Sequence, residues 1–588
     1  MCHRALPAHR ADHPRGRPLG SRLGPGHTAR RRLLGGVGRH RRGDRLRREH
    51  SPELHGARGE VRGDRGAEAG RAHPARCLPL VRPPPPRPLA RQDPLRAPGH
   101  GPGRSVSSAR TAADTPALKR RDARTARIAY GGTQVNATPH VPPYAPGRVP
   151  LIGHAVPLVR NRLTFLQSLR EHGPIVRISI GPKAVTVVNS PDLLLEMLTT
   201  QSRHFSKGLL FEKLKLFGED ALPVAEGSRH LTRRRLMQPA FHHQQIDTYI
   251  RTMHTTVEPM IAAWQGAGPM DLKTEMQLMT QNVVMAALFS TTLNRDTGQA
   301  ILESVDTLFA AALRRALLPL PLLERLPTPG NRRAQRAGRV MRTAVGEVIA
   351  EHLAHPDSYD DIVSLLLNTR EPDGTPLADE DILSEVTGLL AAGSETTAVT
   401  LAWLFHELAR RPELERQLHS EVDTVLTNEP LTTRALAQLT FTRRLVNESL
   451  RMYSPAWLVT RQAIEPVRLG GMDLRVGEDI VWSPYTLHRD PALYPDPLRF
   501  DPDRWLPERP QPPKGAFIPF GVGKRQCMGN EFALAEATLI TALIASRWRL
   551  RPVPGPAVRP VGAITLHPST LRMTVQARTP VDHHREAV

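Results

Sequence analysis

FGVGKRQCMG, residues 520–529, sets Cys527 among three glycines, with Arg525 two residues before it and Phe520 seven before it. The chain has only two other cysteines, Cys2 and Cys77. The stretch after Cys527, NEFALAEATLITALIASRW, has the periodicity of an amphipathic helix, so the thiol sits just before a helix N-terminus. There the helix dipole and free N–H groups stabilise a thiolate. The plain alternative is a small apolar residue buried at a helix cap. The surroundings argue against it. Gly521 and Gly523 allow a tight turn and close approach to a flat ligand, and Gly529 allows the helix to press near it. Phe520 can shield sulfur, and Arg525 offers a fork to a carboxylate. A nucleophilic cysteine calls for a paired histidine, and none lies within twenty residues. Zinc calls for further Cys or clustered His ligands. A thiolate with one axial position to give fits haem iron.

The 588-residue chain carries a net charge of +23, which by itself would suggest a nucleic-acid or membrane-surface binder. The charge is concentrated, however. Residues 1–134 hold 30 basic against 10 acidic residues, and residues 135–588 hold 50 against 47. The leading segment has no Phe or Trp, one Tyr (Tyr130) and one Ile (Ile128). Too little apolar surface is present to offset chain entropy, so disorder is expected there. Its basic residues are 29 Arg and one Lys. Three readings fit: a nucleic-acid-binding arm, an inert extension, or G+C-rich DNA translated upstream of the true start. The third is favoured, because Tyr130-Gly131-Gly132 can encode a ribosome-binding sequence before a GTG start at Val135. Residues 135–588 are then the expected folded domain, with a single cysteine, no internal disulfide and no apolar run of membrane-spanning length. A cytoplasmic protein that binds no nucleic acid is expected.

Within this domain, IVRISI and AVTVVN flank the turn GPK as a β-hairpin. Ser190-Pro191 starts a helix, with serine as N-cap. Helical periodicity dominates from about 228 to 460, and its longest run extends from Asp379 to Arg410. Strand patterns return in VRLGGMDLRVGEDIVW and AITLHPSTLRMTVQAR. The expected fold class is mainly α with small β-hairpins and sheets, an α+β arrangement. No GxGxxG follows a strand and no P-loop occurs, so dinucleotide or ATP binding is unsupported.

The pattern Phe520-x-x-Gly523-x-Arg525-x-Cys527-x-Gly529 resembles the haem-binding loop of the cytochrome P450 family, and the resemblance extends over nearly all of 145–580. It implies that haem b sits between a long central helix and this loop, with Cys527 as the iron ligand. The stretch AAGSETTAV, which from local signals alone could be a break between two helices, is similar to the family's oxygen-binding segment. Ala392 and Gly393 would leave room for dioxygen, with Thr396 and Glu395 as the catalytic pair delivering protons. His230, Arg234 and Arg461 match the family's haem-carboxylate ligands, whereas Arg233 and Arg235 read as solvated. Glu448 and Arg451 in NESLR, with Arg504 in FDPDRW, match a structural trio. By family position the substrate pocket is expected around Phe211, Leu390, Trp457, Leu458 and Leu566. The implied activity is monooxygenation of a small apolar molecule with O2, using electrons from a ferredoxin and its reductase. LPTPGNRR, SPYTLHRDPALYPDP and FDPDRWLPER are similar to bacterial terpene oxidases. A peroxide-dependent haem-thiolate enzyme and a haem-binding sensor are the rival readings; the first has less need of an acid–threonine relay and the second has none.

Overall fold

The computed structural model describes residues 140–578, apart from 318–323, 325, 372 and 429–430. The basic segment 1–134 therefore lies outside the described residues. The expected hairpin forms, with Ile175–Ile180 pairing antiparallel to Lys183–Val188. Its turn is closed by Gly181, which has φ +59°, a conformation open to glycine at little cost. The hairpin anchors a five-stranded sheet whose remaining strands, in spatial order, are Asp479–Trp482, Val459–Ala463 and Phe205–Ser206. Asp479–Trp482 runs parallel to its hairpin neighbour, and the other pairings are antiparallel. Ser190 accepts a hydrogen bond from the Leu193 N–H and caps Pro191–Leu198 as the sequence predicts.

Helices make up most of the remainder. The longest, Asp379–Leu408, is unbroken through Ala391–Gly393 and spans about 45 Å at the usual rise. Three acidic residues, Asp379, Glu380 and Asp381, occupy its first turn and complement the helix dipole. The break that AAGSETTAV could have signalled does not occur. Its hydroxyls bond within the helix instead: Ser394 Oγ donates to the Leu390 carbonyl at 2.6 Å and Thr396 Oγ1 to that of Ala392 at 2.9 Å. Helix Leu272–Phe289 lies alongside at close range. A Cβ on Gly393 would stand 3.0 Å from Val284 Cγ2 on that neighbour, so glycine is what permits this approach.

Helix Thr440–Met452 carries Glu448 and Arg451, both fully buried and paired at 2.7 Å. The expected partner Arg504 stands 3.7 Å from Glu448. The carboxylate is further bonded by the Asp501 N–H and the Trp505 indole. A buried pair holds only when its remaining polar atoms are also satisfied. Here Arg451 fills its donors with the carbonyls of His488, Pro497 and Arg499. Trp403, on the long helix, stacks on Tyr453 with ring centroids 4.0 Å apart. No helix among the described residues is long and apolar enough to cross a membrane.

Candidate active site

The loop before helix Asn530–Arg547 is closed by a hydrogen bond from the Cys527 N–H to the Phe520 carbonyl at 2.9 Å. Gly521 and Gly523 take φ +68° and +78°. A Cβ on Gly523 would lie 2.2 Å from the Leu198 carbonyl oxygen. Packing on the protein's own backbone therefore demands glycine at 523. Beside the Cβ position of Gly529 the nearest group is the Phe241 ring, at 3.6 Å. The loop is also braced from outside: the Ile518 N–H donates to His488 Nε2 at 3.1 Å. That fixes the proton on Nδ1, which donates to Ser454 Oγ at 2.8 Å, and Ser454 in turn donates to the Leu450 carbonyl. His488 thus couples the Glu448–Arg451 helix to the cysteine loop.

Cys527 opens into a cavity of about 410 Å³. Burial raises its pKa, against the pull of the Gly529 N–H and Arg234. The cavity is mainly apolar, with Leu198, Phe211, Leu222, Val284, Leu288 and Leu389 among its walls. Ala392, Gly393 and Thr396 border it from the long helix, and Phe520 and Gly529 from the loop. His230, Arg234, Arg461 and Arg525 converge on the same cavity. Arg234 also donates to the Gln526 carbonyl at 2.7 Å, tying helix Gly227–Met237 to the cysteine loop. Arg525 pairs with Glu226 through Nη2, while its Nη1 is buried without a hydrogen-bond partner among the described residues.

Sequence reasoning missed Lys207, which joins this cationic group at the cavity wall. Burial brings its pKa down to about 7, with Arg525 and Arg461 lowering it further against Glu226 and Glu385. Burial, then the repulsion of Lys207, Arg525, Arg234 and Arg461, lowers His230 to about 4. His230 is therefore a neutral hydrogen-bond donor at pH 7. Arg461 falls to about 9, mainly through burial. Clustered cations that outnumber the carboxylates Glu226 and Glu385, with a guanidinium nitrogen unpartnered among the described residues, suit an acidic ligand edge. A thiol, an apolar chamber and this cluster together fit a haem with its two carboxylates.

Other expected site residues are placed differently. Glu395 is buried on the outer side of the long helix, where Gln277 and Thr565 donate to its two oxygens. It does not border the cavity. Burial raises its pKa, and the nearest charges are Lys273 and Asp306. The carboxyl in the cavity wall is Glu536, from the helix after Cys527. Among the described residues neither of its oxygens has a hydrogen-bond partner within bonding geometry, and burial pushes it up to about 8 despite the nearby Thr397 hydroxyl. A glutamate on an apolar helix, nine residues past the cysteine, is the sequence signal that could have revealed it.

Of the five expected pocket residues only Phe211 lines the cavity. Leu390 is one residue out of phase, and Leu389 faces inward in its place. Trp457 and Leu458 give way to Ala456 and Val459. The Trp457 indole donates to the Ala563 carbonyl, and Leu566 lies wholly buried behind Trp403, whose indole it accepts. Arg233 was expected to be solvated but is buried, held by Asp381 at 3.0 Å, Glu371 at 3.5 Å and Glu385 at 3.6 Å.

The cytochrome P450 family matches residues 142–575, which takes in every element of this cavity. The chain belongs to the cytochrome P450 family. This P450 is 39% identical over 413 residues to cyclooctat-9-en-7-ol 5-monooxygenase of Streptomyces melanosporofaciens, covering 70% of this chain and 90% of that protein. It is 39% identical over 438 residues to pentalenene oxygenase of Streptomyces avermitilis, with 74% and 97% covered. Cyclooctatin synthase of Streptomyces melanosporofaciens is 38% identical over 437 residues, with 74% and 95% covered. The protein is thus a haem-thiolate monooxygenase that uses O2, with iron carried on a cysteine ligand.

Proposed function

We propose that this P450 hydroxylates a terpene-type hydrocarbon, with Cys527 as the axial thiolate and a ferredoxin with its reductase as electron source in the cytoplasm. The observation that carries the reading is a cavity with the Cys527 thiol on one wall and Ala392, Gly393 and Thr396 on another, its remaining lining mainly aliphatic and aromatic apart from the cationic cluster and Glu536. Such a chamber holds a hydrocarbon by burial and shape, without polar anchors. The relatives named for pentalenene and for cyclooctatin chemistry support that substrate class.

His230, Arg234, Arg461 and Arg525 would hold the haem carboxylates, with Lys207 beside them. When bound, the haem supplies reductive activation of dioxygen at its iron. The chain's own residues exclude water and move protons. Thr396 borders the chamber, with its hydroxyl bonded to Ala392 in the resting helix, and can turn that hydroxyl to order water there. Glu536 is a protonated acid in the same wall at pH 7, and Glu395 stands behind the helix on the way to Lys273 and Asp306.

The test begins with dithionite-reduced protein under carbon monoxide. Wild type is expected to show the thiolate-type band and Cys527→Ala to lose it; a variant that keeps the band refutes the ligand. Terpene hydrocarbons are then supplied with NADPH, ferredoxin and reductase under oxygen-18 gas. Labelled alcohol is expected, and turnover only with added peroxide would favour the rival enzyme class.

A further inference from the structure

The segment Ala221–Ala225 forms a tight turn in which the N–H groups of Val224 and Ala225 both donate to the Ala221 carbonyl at 2.8 Å. Two of its residues, Leu222 and Pro223, line the cavity that Cys527 opens into. An irregular stretch of this kind cannot satisfy its own backbone, so its remaining polar groups need outside partners. Two buried charged side chains supply them. Glu385, on the long helix, accepts the Leu222 N–H at 2.8 Å. Lys207 donates to the Leu222 carbonyl at 2.7 Å and to that of Pro223 at 2.8 Å.

Shape reinforces these bonds. A Cβ on Gly388, three residues beyond Glu385, would stand 2.9 Å from Ala221 Cβ and 3.5 Å from Pro223 Cδ. One on Gly218 would stand 2.6 Å from Ser384 Cβ. Two glycines therefore let the segment lie directly on the helix, one from each side of the contact. Glu385 is itself steadied by Arg233, which is clamped by Asp381 and Glu371.

We infer that Glu385 is a positioning residue, which with Lys207 fixes Leu222–Pro223 as a rigid cavity wall, and that this wall sets the size of molecule the chamber admits. The inference rests on the monooxygenase reading of the cavity. Glu385 touches neither the substrate space nor Cys527; it acts through the Leu222 backbone.

The experiment uses haem-loaded full-length protein carrying Glu385→Ala, Glu385→Gln or Gly388→Ala. Amide exchange by mass spectrometry reports the wall directly and does not depend on catalysis. Absorbance titrations with 4-phenylimidazole and with clotrimazole report size discrimination. In Glu385→Ala, peptides covering 221–225 should exchange about tenfold faster, and the affinity ratio should move about fivefold toward the bulky azole. Glu385→Gln keeps an acceptor for the Leu222 N–H and should stay within about twofold of wild type in both readouts. Gly388→Ala leaves every hydrogen-bonding group in place but forces the segment off the helix. It should raise exchange and shift the azole ratio by a similar factor, so it decides the matter if Glu385→Ala loses haem. Unchanged exchange in the destabilised wall, or faster exchange with the azole ratio unmoved, overturns the inference. Failure of wild type to bind either azole while exchange behaves as expected would instead refute the substrate reading of the cavity.

Discussion

Thr396 illustrates how much one side chain decides in this chamber. Its hydroxyl is bonded to the Ala392 carbonyl and its position borders the cavity, yet it is no anchor for a hydrocarbon. Thr396→Ala should keep haem and the substrate-induced spectral change. Product formed per NADPH should fall by about tenfold or more, with hydrogen peroxide taking up the electrons. Parallel assays of peroxide and product check this, and unchanged coupling would remove Thr396 from proton delivery. The two glutamates near it differ by surroundings alone. Glu395 has both oxygens bonded by neighbours, whereas Glu536 has neither bonded among the described residues. Residue type at a motif position did not separate these cases.

At the scale of elements, the cysteine loop depends on packing against the helix that starts at Pro191. Gly523 combines φ +78° with a Cβ position that overlaps the Leu198 carbonyl. Gly523→Ala therefore meets a left-handed backbone cost of about 1–2 kcal/mol and a steric one besides. Gly477→Ala, at φ +81° with open space around it, meets the first cost only. Denaturant midpoints and haem retention should rank Gly523→Ala clearly below Gly477→Ala, and equal losses would show that Leu198 yields. The same element contacts account for Arg233. Thr232 and Arg235 close by in sequence are exposed, but the first turns of the long helix bring Asp381 and Glu385 against it.

Across the whole molecule, two buried groups tilt stability in opposite directions with pH. His488 is fully buried, and burial with the nearby Arg451 lowers its pKa from 6.5 to about 3. The unfolded chain then binds more protons between those values, so stability is complete above pH 6.5 and drains away as pH falls toward 3. Glu536 is raised from 4.5 to about 8. Here the folded chain holds the extra proton, so its contribution is complete below pH 4.5 and is lost as pH rises through 8. Holoprotein melting temperatures across pH 4–9 should show a maximum between these limbs. His488→Gln should flatten the acid limb and Glu536→Gln the alkaline limb; limbs unaffected by either change would assign the slopes to other groups.

The sequence by itself determined what local chemistry can carry. The cysteine loop, the hairpin at Ile175–Val188, the Ser190 cap and the run from Asp379 each depend on residues close together in the chain, where glycine, capping hydroxyls and periodicity act directly. The Glu448–Arg451 pair was legible for the same reason, being one turn apart on an apolar helix face. Only the tertiary structure decided which side of a buried helix meets the cavity. The long helix is apolar nearly all round, so no amphipathic stripe marks its inner face, and Leu389 rather than Leu390 lines the chamber. Lys207 and Glu385 likewise look like ordinary surface charges in sequence, and Glu536 is marked only by the apolar helix around it. Their meaning comes from partners that folding brings from far along the chain: Leu222 for Glu385, Arg461 and Arg525 for Lys207, and the cavity itself for Glu536. Burial and the loss of water give a charged side chain its role, and neither is written in its immediate neighbours.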